Sequence, residues 1–220
     1  MMNEWSAVFE YRYWFFRGVG YTILLTSVGV SFGTIIGLFI GLGQLSQNRF
    51  YKLFSRIYVD LFRGTPLYVQ ILIVHFAVLP AFFGDQSPSA IFSGFVALSL
   101  NSGAYVAEIF RAGILSIDKG QMEAARSLGM SHRQAMRYII LPQAFKRMLP
   151  PLGNEFIALL KDSSLLAVIA TPELTYAGQM TAKNTFTTFA PYLTIAAIYL
   201  ILTLILSRGV RGLERKFSND

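Results

Sequence analysis

The 220-residue sequence contains no cysteine. That excludes a disulfide framework, a thiolate metal site and thiol redox chemistry. The two histidines, His75 and His132, stand far apart and offer no metal cluster. Charge is also scarce, at 14% of residues, where a soluble domain carries about 25%. Hydrophobic residues make up 54% of the chain and mean hydropathy is +0.49. This balance argues against both a soluble globular domain and a disordered chain. No G-x-x-x-x-G-K-S/T phosphate loop occurs, and no Ser-His-Asp set is visible. The expected work is therefore binding and conformational change, with no catalytic residues and no metal.

What the chain does have is apolar runs. A spanning helix needs about 20 mostly apolar residues. Five candidates are present: Val19 to Leu42, Ile57 to Leu79, Ser89 to Ile109, Leu149 to Ala170 and Phe189 to Ser207. The second holds Asp60, Arg63 and Pro66, and the fourth holds Glu155, Lys161 and Asp162, so both are weaker by hydropathy. The net charge of +7 tests the count through its location. Arg49, Lys52 and Arg56 follow span one. Arg111, Lys119, Arg126, Arg133, Arg137, Lys146 and Arg147 follow span three. Arg208, Arg211, Arg215 and Lys216 close the chain. Only Arg12, Arg17 and Lys183 fall on the other side. The positive-inside rule then predicts an outside amino terminus and a cytoplasmic carboxyl terminus.

The expected organisation is one transmembrane domain over residues 1–220. The first seventeen residues lack the basic start, apolar core and cleavage site of a signal peptide. With Trp5, Tyr11, Tyr13, Trp14, Phe15 and Phe16, segment 1–18 reads as interfacial. Span one carries Gly29, Gly33, Gly37 and Gly41 at intervals of four, a stripe that permits close helix packing in lipid.

Residues 112–148 form the longest stretch outside the spans and read as two short helices. Asp118 is placed to cap the first, and Gly129 to end it in a left-handed conformation. Ser131 and Gln134 form a capping box for the second, which is expected to run to about Leu141 before Pro142. A DNA-binding helix-turn-helix is a poor reading, because the basic charge already follows from membrane orientation and the second helix is tied between spans. No nucleic-acid partner is expected.

Glu123, Ala124, Ala125, Gly129, Ile139, Leu141 and Pro142 fill every position of the pattern E-A-A, three residues, G, nine residues, I-x-L-P. This resembles the EAA motif of ABC-importer permeases. Phe62-Arg63-Gly64-Thr65-Pro66, Ala104 to Ile109 with Arg111, and Asn154-Glu155-Phe156 through Asp162 also resemble the polar amino acid uptake family. The resemblance runs from about Gly18 to Arg215. It implies a multi-pass subunit of the bacterial cytoplasmic (inner) membrane whose loop hairpin docks on a cytoplasmic ATP-binding subunit. It also implies a second permease copy, an extracellular solute-binding protein and an amino acid substrate, with ATP and Mg held by the ATPase partner and no cofactor in this chain. Small Ala124 and Ala125 let a partner surface approach closely, and Glu123 offers an anion for a partner cation. An ATP-independent secondary transporter or channel is the competing reading; it gives no reason for the hairpin.

Ionisable groups inside spans are costly and point to function. Helical rise puts Thr65 roughly 12 Å into the membrane, Asn101 and Ser102 roughly 18 to 20 Å, and Asp162, Ser163 and Ser164 roughly 20 to 23 Å, in a core about 30 Å thick. Together with Glu155, one face from Asp162 along span four, these form the expected substrate layer. A carboxylate there favours a cationic amino acid (arginine, lysine or histidine), with glutamine as the neutral option. Arg63, Glu108, Arg111 and Lys161 read as a gate or as structural ion pairs.

Overall fold

The computed structural model describes residues 4–84 and 88–218, so the first three residues of the interfacial segment lie outside it. Every regular element among the described residues is helical. The helices are α1 (Glu4–Glu10), α2 (Arg12–Leu45), α3 (Arg49–Gly64), α4 (Leu67–Ile73), α5 (Leu79–Phe83), α6 (Ala90–Leu115), α7 (Lys119–Ser127), α8 (His132–Ala135), α9 (Leu141–Asp162), α10 (Leu174–Thr185) and α11 (Phe189–Ser218). Three of them, α2, α6 and α11, are long and apolar enough to cross a membrane. The pair formed by α3 and Leu67–Phe83 makes a fourth if the bend between them is counted within one span. The chain is an all-helical membrane protein.

The glycine stripe sets the central packing. A Cβ on Gly33 would stand 2.7 Å from Ser102 Cβ, and one on Gly37 would stand 2.7 Å from Val106 Cβ. Gly29 faces Leu98 and Gly41 faces Ala107 in the same way. From Gly29 to Gly37 each glycine meets a residue four further along α6, and Gly41 meets Ala107 and Phe110, so the two helices lie against each other along their lengths. Leu25, Leu98, Leu159 and Leu166 extend this contact into the main apolar core.

The second candidate span is not one helix. α3 and the α4–α5 arm meet at 107°, with Thr65 and Pro66 in extended conformation between them. Pro66 disfavours the helical conformation at Thr65 and lacks an N–H, which explains where the break falls. Between α4 and α5 the chain widens into a π turn, Val74–Val78, where His75 Nδ1 lies 2.8 Å from Ser93 Oγ.

The fourth candidate span also departs from expectation. α9 begins at Leu141, without a stop at Pro142, because a π turn at Met136–Ile140 precedes it. Leu141 N–H bonds to Met136 O, five residues back, so the wider turn accommodates the proline ring. α9 tightens into a 3₁₀ turn at Ser163–Ile169 and ends at Ala170, φ 56°. α10 then packs back onto α2 and α11, where Leu174 N donates to Thr22 Oγ1 at 3.2 Å.

Candidate transport layer and coupling hairpin

The break after α3 strands backbone carbonyls within an apolar bundle, where leaving them unpaired is costly. One side chain answers part of that demand. Gln70 Nε2 donates to Phe62 O (2.8 Å), Thr65 O (3.0 Å) and Thr65 Oγ1 (2.9 Å). Asn101 Nδ2, on α6, donates to Gln70 Oε1 at 2.9 Å and fixes the amide's direction. The Thr65 hydroxyl itself donates to Leu61 O at 2.7 Å. Thr65 and Asn101 are thus brought together through Gln70, which the sequence reading missed. Its signal was present: a lone amide one turn past Pro66 in an otherwise apolar segment.

The remaining layer residues divide by exposure. Asn101, Ser102 and Ser163 are buried, whereas Thr65 and Asp162 are exposed on the single chain and Glu155 and Ser164 are half-buried. Ser163 Oγ donates to Leu160 O at 2.8 Å. Ser102 Oγ is buried, meets no partner within hydrogen-bond geometry among the described residues, and lies next to Glu155. Asp162 lies seven residues further along the same helix, on the same face as Glu155. Asp162 in turn lies beside Lys161.

A cavity of about 420 Å³ runs from Glu155 past Pro151, Tyr105, Glu108 and Arg63 to Arg147. Glu108 in this lining is the acid that draws two arginines. Arg111 Nε donates to Glu108 Oε1 at 3.0 Å, and Arg111 Nη2 bonds the same oxygen. Arg63 Nη1 stands 3.9 Å from Glu108 Oε2, with its guanidinium 5.4 Å from the centre of the Tyr105 ring. Arg63, Glu108 and Arg111 therefore meet, and Lys161 lies apart from them with Asp162.

The caps and the turn of the hairpin form where the sequence places them. Asp118 accepts from Gly120 N at 2.7 Å and caps α7. At the other end Gly129 takes φ 85°, a left-handed value that side chains rarely adopt. Gly129 N bonds Arg126 O and Met130 N bonds Ala125 O, the paired bonds of a Schellman ending. Ser131 and Gln134 complete the reciprocal capping box of α8, with Ser131 N to Gln134 Oε1 at 2.8 Å.

The motif residues split into two faces. Ala125 is buried, and Ile139 packs against the cluster of Ile117, Ile140, Ala144 and Met148. Glu123, Ala124, Leu141 and Pro142 face outward, as does Leu128 at 84% exposure. Glu123 forms no ion pair with a described residue. Arg147 Nη1, bonded to Ser116 O at 2.5 Å, ties α9 to the end of α6, so the hairpin is anchored to two long helices.

One further buried polar group escaped the sequence reading. Glu173 is fully buried and caps α10, accepting from Thr175 N and Tyr176 N at 2.7 Å each. Tyr199 of α11 donates its hydroxyl to Glu173 Oε2 at 3.0 Å. No spacing in the sequence pairs these two residues, which lie 26 apart on separate helices.

The arrangement matches known proteins over nearly its whole length. Residues 33–219 fit the family described as binding-protein-dependent transport system inner membrane component. The glutamine transport system permease protein GlnP of Escherichia coli (strain K12) is 38% identical over 98% of each chain. The L-cystine transport system permease protein TcyB of Bacillus subtilis (strain 168) is 42% identical over 90% of this chain and 84% of its own. A crystal structure of an amino acid ABC transporter with histidines superposes with TM-score 0.91, at 44% identity, covering 98% of this chain and 99% of that one. The chain belongs to the binding-protein-dependent transport system inner membrane component family, as a multi-pass inner-membrane permease of the polar amino acid ABC type whose ATPase resides in a partner subunit.

Proposed function

We propose that this permease forms half of a pathway for a polar or cationic amino acid, and that its hairpin transmits ATP-driven movement from the partner ATPase. The supporting observation is the continuous cavity from Glu155 to Arg147, which ends against the same α9 that continues from the hairpin. Five spans are proposed: α2, the broken pair α3 with α4–α5, α6, α9 with its 3₁₀ turn, and α11. The amino terminus lies outside and residues 112–148 lie in the cytoplasm, in keeping with the cation distribution.

Glu155 and Asp162, with Thr65 and Ser164, form the substrate-facing set. Asn101, Ser102 and Ser163 stand behind it, where Asn101 and Gln70 hold the broken helix open. The two carboxylates attract a cationic side chain, and the names of the relatives keep glutamine, histidine and cystine as further substrates. Arg63, Glu108 and Arg111 close the cytoplasmic end, and Lys161 neutralises Asp162 when no cation is bound. A second permease copy covers the exposed Asp162 face, and an extracellular solute-binding protein delivers substrate near Pro172 to Thr188. The partner ATPase binds ATP and Mg, and its surface receives Glu123, Ala124 and Leu128.

The test is Asp162→Asn in the assembled transporter. ATP-driven arginine uptake is expected to fall at least about tenfold, a loss of roughly 1.4 kcal/mol, with glutamine uptake and ATPase assembly retained. Unchanged arginine uptake would remove Asp162 from the site.

A further inference from the structure

A second cavity, of about 650 Å³, lies between α3 and the ends of α2 and α6. It shares only Arg63 and Glu108 with the pathway cavity. Its charged lining is Lys52, Arg56, Arg63 and Arg111 against Asp60 and Glu108. Glu108 is already engaged by Arg111 and faces Arg63. Lys52 and Arg56 form no ion pair with any described carboxylate. Four cations against two acids leave an excess of positive charge, which raises the local potential and favours an incoming anion.

The rest of α3 indicates which anion. Lys52, Arg56, Asp60 and Arg63 recur at helical spacing and line the cavity. Phe50, Leu53, Phe54, Ile57 and Leu61 occupy the other side of the same helix and are all exposed. A helix with a basic face beside an exposed aromatic and aliphatic face is built for the boundary between headgroups and acyl chains. Tyr51 Oη donates to Phe39 O, which pins this helix to α2 at that level.

We propose that the cavity binds the phosphate of an acidic phospholipid headgroup from the cytoplasmic leaflet. Guanidinium groups match phosphate oxygens in paired hydrogen bonds, and Arg56 with Lys52 supplies the uncompensated charge. The acyl chains lie along Phe50, Phe54 and Ile57. The lipid phosphate offsets the excess of four cations over two acids in this lining and holds α3 against the ends of α2 and α6. The assignment of the leaflet rests on the orientation proposed above.

The test uses the purified permease–ATPase complex in neutral-detergent micelles, titrated with fluorescent phosphatidylglycerol or phosphatidylcholine. The wild type is expected to bind phosphatidylglycerol at least about tenfold more tightly than phosphatidylcholine. K52Q/R56Q is expected to lose roughly 30-fold in phosphatidylglycerol affinity, with melting temperature and basal ATPase rate unchanged in neutral lipid. R56Q alone is expected to lose roughly fivefold, which keeps the test open if the double variant fails to assemble. Equal phosphatidylglycerol binding by wild type and variants would overturn the proposal. Displacement of the lipid by an equal concentration of inorganic phosphate would overturn the lipid as the source. Micelles expose both ends of the protein, so this result is independent of orientation. Orientation is read separately by impermeant maleimide labelling of Gln47→Cys, in a chain with no native cysteine. Labelling from the outside would overturn the topology and leave the anion site standing.

Discussion

The Asn101 amide donates to Gln70 Oε1 at 2.9 Å, and Gln70 in turn donates to the carbonyls freed where α3 ends. A broken helix inside a membrane bundle is stable only when its stranded carbonyls find partners. Here buried Gln70 supplies them, and buried Asn101 on α6 holds the Gln70 amide in place. Replacing Gln70 with Leu strands Asn101 and two carbonyls, each costing about 1–3 kcal/mol. Q70L is expected to lower the melting temperature in detergent and to reduce uptake. Combined with N101L, the loss is expected to be less than additive, by about 0.5–3 kcal/mol. Strict additivity in that cycle would show that the two amides act independently.

Glycine at position 37 has no steric alternative. A Cβ there would stand 2.7 Å from Val106 Cγ1 and 2.8 Å from Ala107 N. Gly37→Val is expected to cost about 1–3 kcal/mol through overpacking. Gly20 of the same helix has nothing within 4 Å of an added Cβ. Gly20→Ala is expected to stay within about 0.5 kcal/mol of wild type. Thermal unfolding of the two variants in one detergent makes the comparison, and equal stability would contradict the packing assigned to the stripe.

The glycine stripe, the capping box and the left-handed Gly129 were legible because each depends on local spacing. A four-residue repeat, an S-x-x-Q pair and a glycine between two helical patterns act within a few residues of themselves. The break at Pro66 was legible as a polar interruption, but its 107° bend was not, because that angle follows from packing against α2 and α6. Pro142 misled for a related reason. Its ring ordinarily ends a helix, yet the π turn before it absorbs the clash, and π turns have no marker in the sequence. The Glu108–Arg111 pair was visible at helical spacing. The Glu173–Tyr199 bond was not, since it joins helices distant in sequence.

The hairpin is expected to be sensitive at its turn. Gly129 at φ 85° makes Ala strained there by about 1–2 kcal/mol. Ser131→Ala removes a cap worth about 1 kcal/mol. G129A is therefore expected to weaken binding of the ATPase subunit roughly 5- to 30-fold, and S131A somewhat less. Affinity is read by titrating the purified ATPase onto the reconstituted permease. Wild-type affinity in both variants would show that hairpin shape does not govern docking.

The central claim is that ATP drives transport through the exposed Glu123 face of the hairpin. The most direct measurement is ATP-dependent uptake of labelled arginine, glutamine and glutamate into proteoliposomes containing the permease, its ATPase and its binding protein. Wild type and Glu123→Arg are compared. The account expects uptake by wild type only with ATP, and its loss in the variant while the permease remains folded, because Glu123 makes no ion pair among the described residues that the change would break. Uptake that ignores both ATP and the substitution would contradict the account and favour a secondary transporter.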